Sequence, residues 1–353
     1  MGLVNYWITE NLIRGNMNKL LEIKDLKIQY NGQDETIEVL HGISLNLEEG
    51  KAIGIVGESG SGKSQTALAV LQLIEGRPGI VNGSIRFREK DLSNAKHAEL
   101  KNIRGHELAI IFQDAKASLI PYLTIREQVM DTHKSLANGR SKEELLSFAQ
   151  ELLNDMNFND PDRVLESYPN QLSGGECQRA YVMLTLLGNP SILVADEPTS
   201  SLDPITSAQI VELIKQICKK LNISLILISH DLGEIAKVTD HIYVFYNGHI
   251  VEEFPTEWVK EYSTKEPKHP YSRFLFSMFK GKAFKELRNG AVSNSSELTD
   301  VIKKNEELCG CIYSGRCPLK NDLPEAIKHK CETIHPDLSN GNGEGKVACW
   351  GVD

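Results

Sequence analysis

The chain has 353 residues, 41% of them apolar and 25% charged, with a net charge of −9. That is the balance of a soluble globular protein with room for one large domain or a core domain with an appendage. The acidity, with no block of five basic residues, argues against nucleic acid held on a broad basic face. The longest apolar runs, "SILVA" and "ISLILIS", are too short to span a bilayer, so any membrane role must pass through a partner.

The opening stretch, "MGLVNYWITENLIRGNMNKL", lacks the charged and apolar regions of a secretory signal, so a cytoplasmic location is expected. Met17 is a candidate alternative start. "LLEIKDLKIQY" and "VLHGISLNL" alternate like antiparallel strands. A short buried strand, "KAIGIVG", runs through "GESGSGKS" into a helical stretch, "KSQTALAVLQLIEG". From about Tyr122 to Leu187 the pattern is helical, and "SKEELLSFAQELLNDM" opens with a Ser cap and a Glu three residues on. "SILVADEP" is a strand, "ITSAQIVELIKQICKKLN" an amphipathic helix and "ISLILISHD" another strand. "HIYVFYNGHIVEEF" reads as a hairpin turning on Asn-Gly. Buried strands alternating with helices predict an α/β core with a parallel sheet. After Phe254 the pattern weakens: "HPYSRFLFSMF" is one more helix, "RNGAVSNSSELTD" a linker, and the rest is rich in cysteine.

"GESGSGKS", from Gly57 through Glu58, Ser59, Gly60, Ser61, Gly62 and Lys63 to Ser64, follows a strand and opens a helix. Glycines let a backbone wrap phosphates there, Lys63 reaches the β- and γ-phosphates, and the Ser64 hydroxyl ligates Mg²⁺. Gln65 follows in the first helical turn. The chain is therefore expected to bind a nucleoside triphosphate. Asp196, at the end of the strand "ILVAD", is placed to hold Mg²⁺, and Glu197 beside it to act as general base. A solvated turn would be the ordinary reading of such a pair without the loop. Far along the chain, "LSGGECQR" (Leu172 to Arg179) offers a second glycine turn before a helix, and one nucleotide has no need of two cradles.

These motifs resemble the ATP-binding subunits of ABC transporters. "LSGGECQR" is similar to their signature sequence, "IIFQD" to the Q-loop with Gln113, "SLD" to the D-loop with Asp203, and "ISHD" to the switch region with His230. The order holds over roughly residues 18 to 255. The resemblance implies a P-loop NTPase fold: a parallel-sheet core, an antiparallel β-subdomain and a helical subdomain at about 115–187. It also implies a head-to-tail pair of such domains, in which Ser173 and the amides of Gly174 and Gly175 serve the γ-phosphate on the partner's loop. Gln113 would sense γ-phosphate and Mg²⁺, and His230 would contact the γ-phosphate and orient Glu197. Tyr30 falls where the family places an aromatic on adenine; a structural tyrosine is the rival reading.

"GESGSGKSQTALAV", "HPYSRFLFS" and the tail cysteines together resemble the oligopeptide/dipeptide/nickel importer group. The loop "DAKASLIP" after Gln113 departs from that group's pattern. Residues 256–353 are then a C-terminal extension whose cysteines match a cluster-binding set at Cys311, Cys317, Cys331 and Cys349, with Cys309 able to replace Cys311. Four thiolates suit a 4Fe-4S cluster or Zn²⁺; free or oxidised thiols remain open. The partners implied are a second ABC ATPase, favoured as a paralogue, two membrane permeases and, indirectly, a solute-binding protein, with no nucleic acid. The expected place is the cytoplasmic face of the membrane. A soluble non-transport ABC ATPase, in DNA repair or translation, is the alternative.

Overall fold

The computed structural model describes residues 19–31, 36–74, 78–135, 140–200, 202–260, 263–279, 310–340 and 345–352. Met17, the expected linker and Cys309 lie outside the described residues.

The alternating opening segments form β1 (Lys19–Asn31) and β2 (Thr36–Glu48), paired antiparallel with Ile23 opposite Leu45 and Ile28 opposite Leu40. Next come β3 (Ala52–Gly57), α1 (Lys63–Val70), β4 (Pro78–Phe87) and β5 (Lys90–Asp91). The order β2-β1-β4-β5 makes a four-stranded antiparallel sheet. Two readings needed correcting here. The helix after the phosphate loop was expected to run to Gly76 but ends at Val70, and Gln72 turns the chain at φ 55°. The strand "PGIVNGSIRF" was not foreseen, because Gly79 and Gly83 break its alternation; Gly83 takes φ 93° against the carbonyls of Lys24 and Asp25, where a Cβ would sit 2.5 Å from each oxygen.

The chain continues through α2 (His97–Ile103), β6 (Leu108–Ile111) and α3 (Ala115–Ser118) into α4 (Ile125–Ser135), α5 (Lys142–Asp155), α6 (Pro161–Glu166) and α7 (Gly174–Leu186). The foreseen capping box of α5 is present: the Glu144 amide donates to Ser141 Oγ at 3.1 Å, and the Ser141 amide donates to Glu144 Oε2 at 2.7 Å. Then follow β7 (Ile192–Asp196), α8 (Pro204–Lys220), β8 (Ser224–Ile228), α9 (Leu232–Val238), β9 (His241–Tyr246) and β10 (His249–Pro255). Strands β9, β3, β8, β7 and β6 lie side by side in parallel. Asn247 and Gly248, at φ 43° and 77°, make the expected hairpin turn to β10.

Alternate residues of this sheet serve two cores. Ile192, Val194, Ile226 and Ile228 face the antiparallel sheet, whereas Leu193, Ala195, Leu225 and Leu227 face the helices. With both faces covered, β7 is apolar up to its terminal Asp196 and β8 is apolar after its first residue, Ser224.

Beyond β10 lie α10 (Pro270–Phe279), α11 (Glu325–Thr333), β11 (Ser339–Asn340) and β12 (Lys346–Val347). β12 pairs with β10, Val347 opposite Glu252, and so widens the main sheet to eight strands. Trp258, Tyr271, Phe276, Cys311, Tyr313 and Cys331 belong to the helix-side core itself. Two-residue strands carry no periodic signal, so this docking was invisible in the sequence. Among the described residues, no helix is long and apolar enough to cross a membrane.

Candidate nucleotide site

The phosphate loop joins β3 to α1, and its glycines meet real steric limits. Gly62 takes φ 97°, and a Cβ there would lie 2.4 Å from Leu40 Cδ2 and 3.3 Å from the Val39 carbonyl oxygen. The hairpin supports the loop from below, the Gly248 amide donating to the Ser61 carbonyl at 3.1 Å. Lys63 is buried, and its Nζ donates to the carbonyls of Gly57 at 2.9 Å and Glu58 at 2.8 Å. Burial pulls the Lys63 ammonium below its usual pKa, against the opposing charges of Glu197, Asp196 and Glu58.

Asp196 ends β7 facing this loop. Burial raises its carboxyl pKa, and a hydrogen bond from Ser64 works against that rise. Its Oδ1 is buried without a hydrogen-bond partner, as is the Ser61 hydroxyl. Orphaned oxygen donors beside a second hydroxyl are the chemistry a Mg²⁺ ion takes up. Glu197 then leaves the strand at φ 47°, a region unusual for a side chain of its size, with its amide held by the Ile228 carbonyl at 2.9 Å. Its Oε2 lies 3.5 Å from Gln113 Nε2 and 3.5 Å from His230 Nδ1. The three predicted catalytic side chains therefore converge, from the ends of β6, β7 and β8. At 3.5 Å these are loose contacts, and the His230 side chain is 68% exposed.

A residue that sequence reasoning missed ties these segments together. Glu234, buried in the first turn of α9, accepts from Thr199 Oγ1 at 3.0 Å and from Ser229 Oγ at 2.8 Å. It thereby links the segment after Glu197 to the residue before His230. A glutamate shortly after a capping Asp231 was its one local signal.

The Tyr30 hydroxyl donates to Gln65 Oε1 at 2.5 Å, so this half-buried ring lies at the loop's edge. The turn Ser173–Gly175 lies elsewhere. Ser173 caps α7: its Oγ accepts from the Glu176 amide at 3.3 Å, and its amide donates to Glu176 Oε2 at 2.9 Å. The Ser173 amide, with burial opposing, and then an ion pair to Arg163 hold the Glu176 carboxyl below its usual range. Ser173 and Gly174 are exposed, and a Cβ on Gly175 would meet the Thr206 methyl at 3.1 Å. Asp203 caps α8, accepting from the amides of Ile205 at 3.2 Å and Thr206 at 3.0 Å. Beside it Ile205 is 74% exposed.

In the C-terminal segment Cys311, Cys317, Cys331 and Cys349 line one cavity, with His269, Tyr313, Leu319 and Leu323. All four are free thiols. Burial raises the thiols of Cys311 and Cys331, and that of Cys349 to about 11. Among the described residues, no group of three or more His, Cys, Asp or Glu side chains is placed to hold a metal ion, so the geometry supports neither the Zn²⁺ nor the 4Fe-4S expectation.

The family model for the ABC transporter matches residues 40–200. The oligopeptide transport ATP-binding protein AppD of Bacillus subtilis is 34% identical over 95% of this chain and 97% of its own length. The dipeptide transport ATP-binding protein DppD of Haemophilus influenzae is 35% identical over 94% of both chains. Among solved structures, the ATP-binding cassette MJ0796, a dimer in a post-hydrolysis state bound to ADP and Pi, superposes with a TM-score of 0.59 at 28% identity, covering 67% of this chain and 98% of that one. With an ATP-type phosphate loop, acids at the strand ends and relatives matched from end to end, the chain belongs to the ABC transporter family as one of its ATP-hydrolysing, ATP-binding subunits.

Proposed function

We propose that the chain drives uptake of oligopeptides or dipeptides, or of a related small solute such as nickel or a metal chelate, through separate membrane permeases. The end-to-end similarity to peptide-transport ATP-binding proteins carries this reading. In it, the chain sits peripherally on the cytoplasmic face and pairs with a second ATPase, favoured as a paralogue. A solute-binding protein supplies the cargo.

In this reading Gly57–Ser64 cradles the phosphates, Lys63 neutralises them, and Tyr30 stacks on adenine beside Gln65. Ser64 and Asp196 would hold Mg²⁺, with Gln113 beside them. When bound there, the ion would offset the negative charge that develops on the phosphate oxygens. Glu197 takes a proton from the water whose oxygen attacks the γ-phosphorus, as the bond to the bridging oxygen breaks and ADP leaves. Gln113 and His230 hold Glu197 and that water in line. Ser173, Gly174, Gly175 and Asp203 act on the partner's nucleotide, since the turn's hydrogen bonds described above engage its own helix and leave it exposed. ATP binding then closes the pair and hydrolysis reopens it.

The four-thiol cavity is assigned to a 4Fe-4S cluster held by Cys311, Cys317, Cys331 and Cys349. Four free thiols lining one cavity are what supports that set. The cluster would contribute a cross-link for a segment with little apolar core of its own.

Tagged protein pulled from gently solubilised host membranes tests the transport reading. Two multi-span permeases and a second ATPase are expected. Recovery of soluble partners alone, from a preparation that still hydrolyses ATP, would shift the assignment to a non-transport ABC ATPase. Iron and sulfide in anaerobically purified protein test the cluster, and their absence would overturn it.

A further inference from the structure

The phosphate loop is held by residues that lie far outside the stretch matched by the family model. Glu58 is gripped at three points. Its amide donates to Tyr271 Oη at 2.9 Å, its carbonyl accepts from Lys63, and its carboxylate lies 3.1 Å from Arg316 Nη1. Tyr271 comes from α10 and is fully buried, while Arg316 sits one residue before Cys317. Arg316 Nη1 also donates to Tyr246 Oη at 3.3 Å.

The rings behind these groups form one packed unit. Tyr246 lies 4.8 Å from Tyr271 and 5.2 Å from Tyr313, centroid to centroid, and Tyr271 lies 5.5 Å from Tyr313. Tyr313 in turn lines the thiol cavity. The sequence alone gives no reason to bring residues 271 and 316 to residue 58. Once there, they engage a loop residue whose carbonyl also accepts from Lys63.

We infer that the C-terminal segment is a brace on the phosphate loop, with Tyr271 and Arg316 as positioning residues that fix Glu58, and through it Lys63, for nucleotide binding. The buried hydroxyl of Tyr271 is the stronger hold, because its loss strands the Glu58 amide. The Arg316–Glu58 pair is half-exposed and contributes less. The inference rests on reading Gly57–Ser64 as the nucleotide loop.

The test measures affinity of the full-length chain for a fluorescent ATP analogue, with KM and kcat for hydrolysis alongside. Tyr271→Phe should weaken binding by about five-fold or more. Arg316→Ala should weaken it by about two- to five-fold, with Arg316→Lys recovering part of the loss. KM should rise while kcat at saturating ATP holds, a split that loss of folded protein would not produce. Adding Glu58→Gln to Arg316→Ala should cost no more than the worse single change, because the two act as one pair. Lys63→Ala serves as the control. Unchanged affinity in both Tyr271→Phe and Arg316→Ala, with binding lost in Lys63→Ala, would overturn the brace alone. Retained binding in Lys63→Ala would overturn the nucleotide loop as well.

Discussion

The two glycine-rich turns, Gly57–Ser64 and Ser173–Gly175, open helices in the same manner yet are held differently. The first is enclosed by its own chain: Lys63 folds onto its carbonyls, Gly248 supports it, and Tyr271 and Arg316 grip Glu58. Buried oxygens of Asp196 and Ser61 are left without partners beside it. The second turn spends its hydrogen bonds on its own cap, and its outer face is exposed. A turn with orphaned polar groups around it is built for a ligand held within the chain. A turn that is self-satisfied and exposed keeps its outer face open, as the proposed role on a partner's nucleotide requires.

The largest effect that sharpens this contrast lies on the enclosed side. Glu197→Gln should keep ATP bound and lower phosphate release by about 10²- to 10⁴-fold, the range for loss of a general base. Turnover at the wild-type rate would remove Glu197 from that role. Next comes a matched pair of glycine substitutions. Gly62→Ala forces a Cβ into Leu40 at a positive φ and should destabilise the chain by about 2–4 kcal/mol in denaturant titration. Gly175→Ala meets only the Thr206 methyl and gains helix propensity, so its stability should stay within about 1 kcal/mol of wild type. Equal costs at the two positions would break the distinction.

The two sides should also part along the pH axis. Burial lowers His249 to about 2 and His269 to about 4 on the enclosed side, from an ordinary 6.5. Groups lowered on folding contribute stability above the unfolded value and lose it as pH falls through the folded one. Acidification below 6.5 should therefore cost stability there. Glu252, raised by burial to about 7, works in the opposite sense: its contribution is present below 4.5 and is lost as pH rises through 7, which offsets part of the histidine slope. Glu176, lowered in the second turn, loses its contribution only below 4.5. Thermal melts from pH 7 to 5 should show a falling midpoint, and His249→Gln should flatten that fall by about 1–3 kcal/mol. An unchanged slope in that variant would contradict the assignment.

The smallest effect is at the cap of the exposed turn. Ser173→Ala should cost about 1 kcal/mol of stability and leave nucleotide affinity of the isolated chain intact. Weakened affinity in that chain would mean the turn serves its own nucleotide after all.

Much of the site was legible because its parts are local. Lys63 and Ser64 follow their glycines directly, Asp196 and Glu197 end an apolar run, and the Ser141 cap pairs with a glutamate three residues on. The Asn247–Gly248 turn was readable for the same reason. What was missed depends on distance along the chain. β4 hid behind two glycines whose purpose is set by the neighbouring β1 backbone. Glu234 gained meaning only when α9 brought it between Thr199 and Ser229.

By itself, the sequence determined the local character of each segment: a glycine loop between strand and helix, paired acids, a second glycine turn, four tail cysteines and the alternation of strand and helix. Those are short-range patterns, fixed by glycine conformations, capping and hydrophobic periodicity within a few residues. Tertiary structure decided who meets whom. Parallel strand order set Gln113, Glu197 and His230 at neighbouring strand ends, and the docking of β12 on β10 drew the cysteine segment into the main core. Through that docking Tyr271 and Arg316 came to rest on Glu58, because contacts between distant segments are fixed by packing a shared core and leave no local trace in either segment.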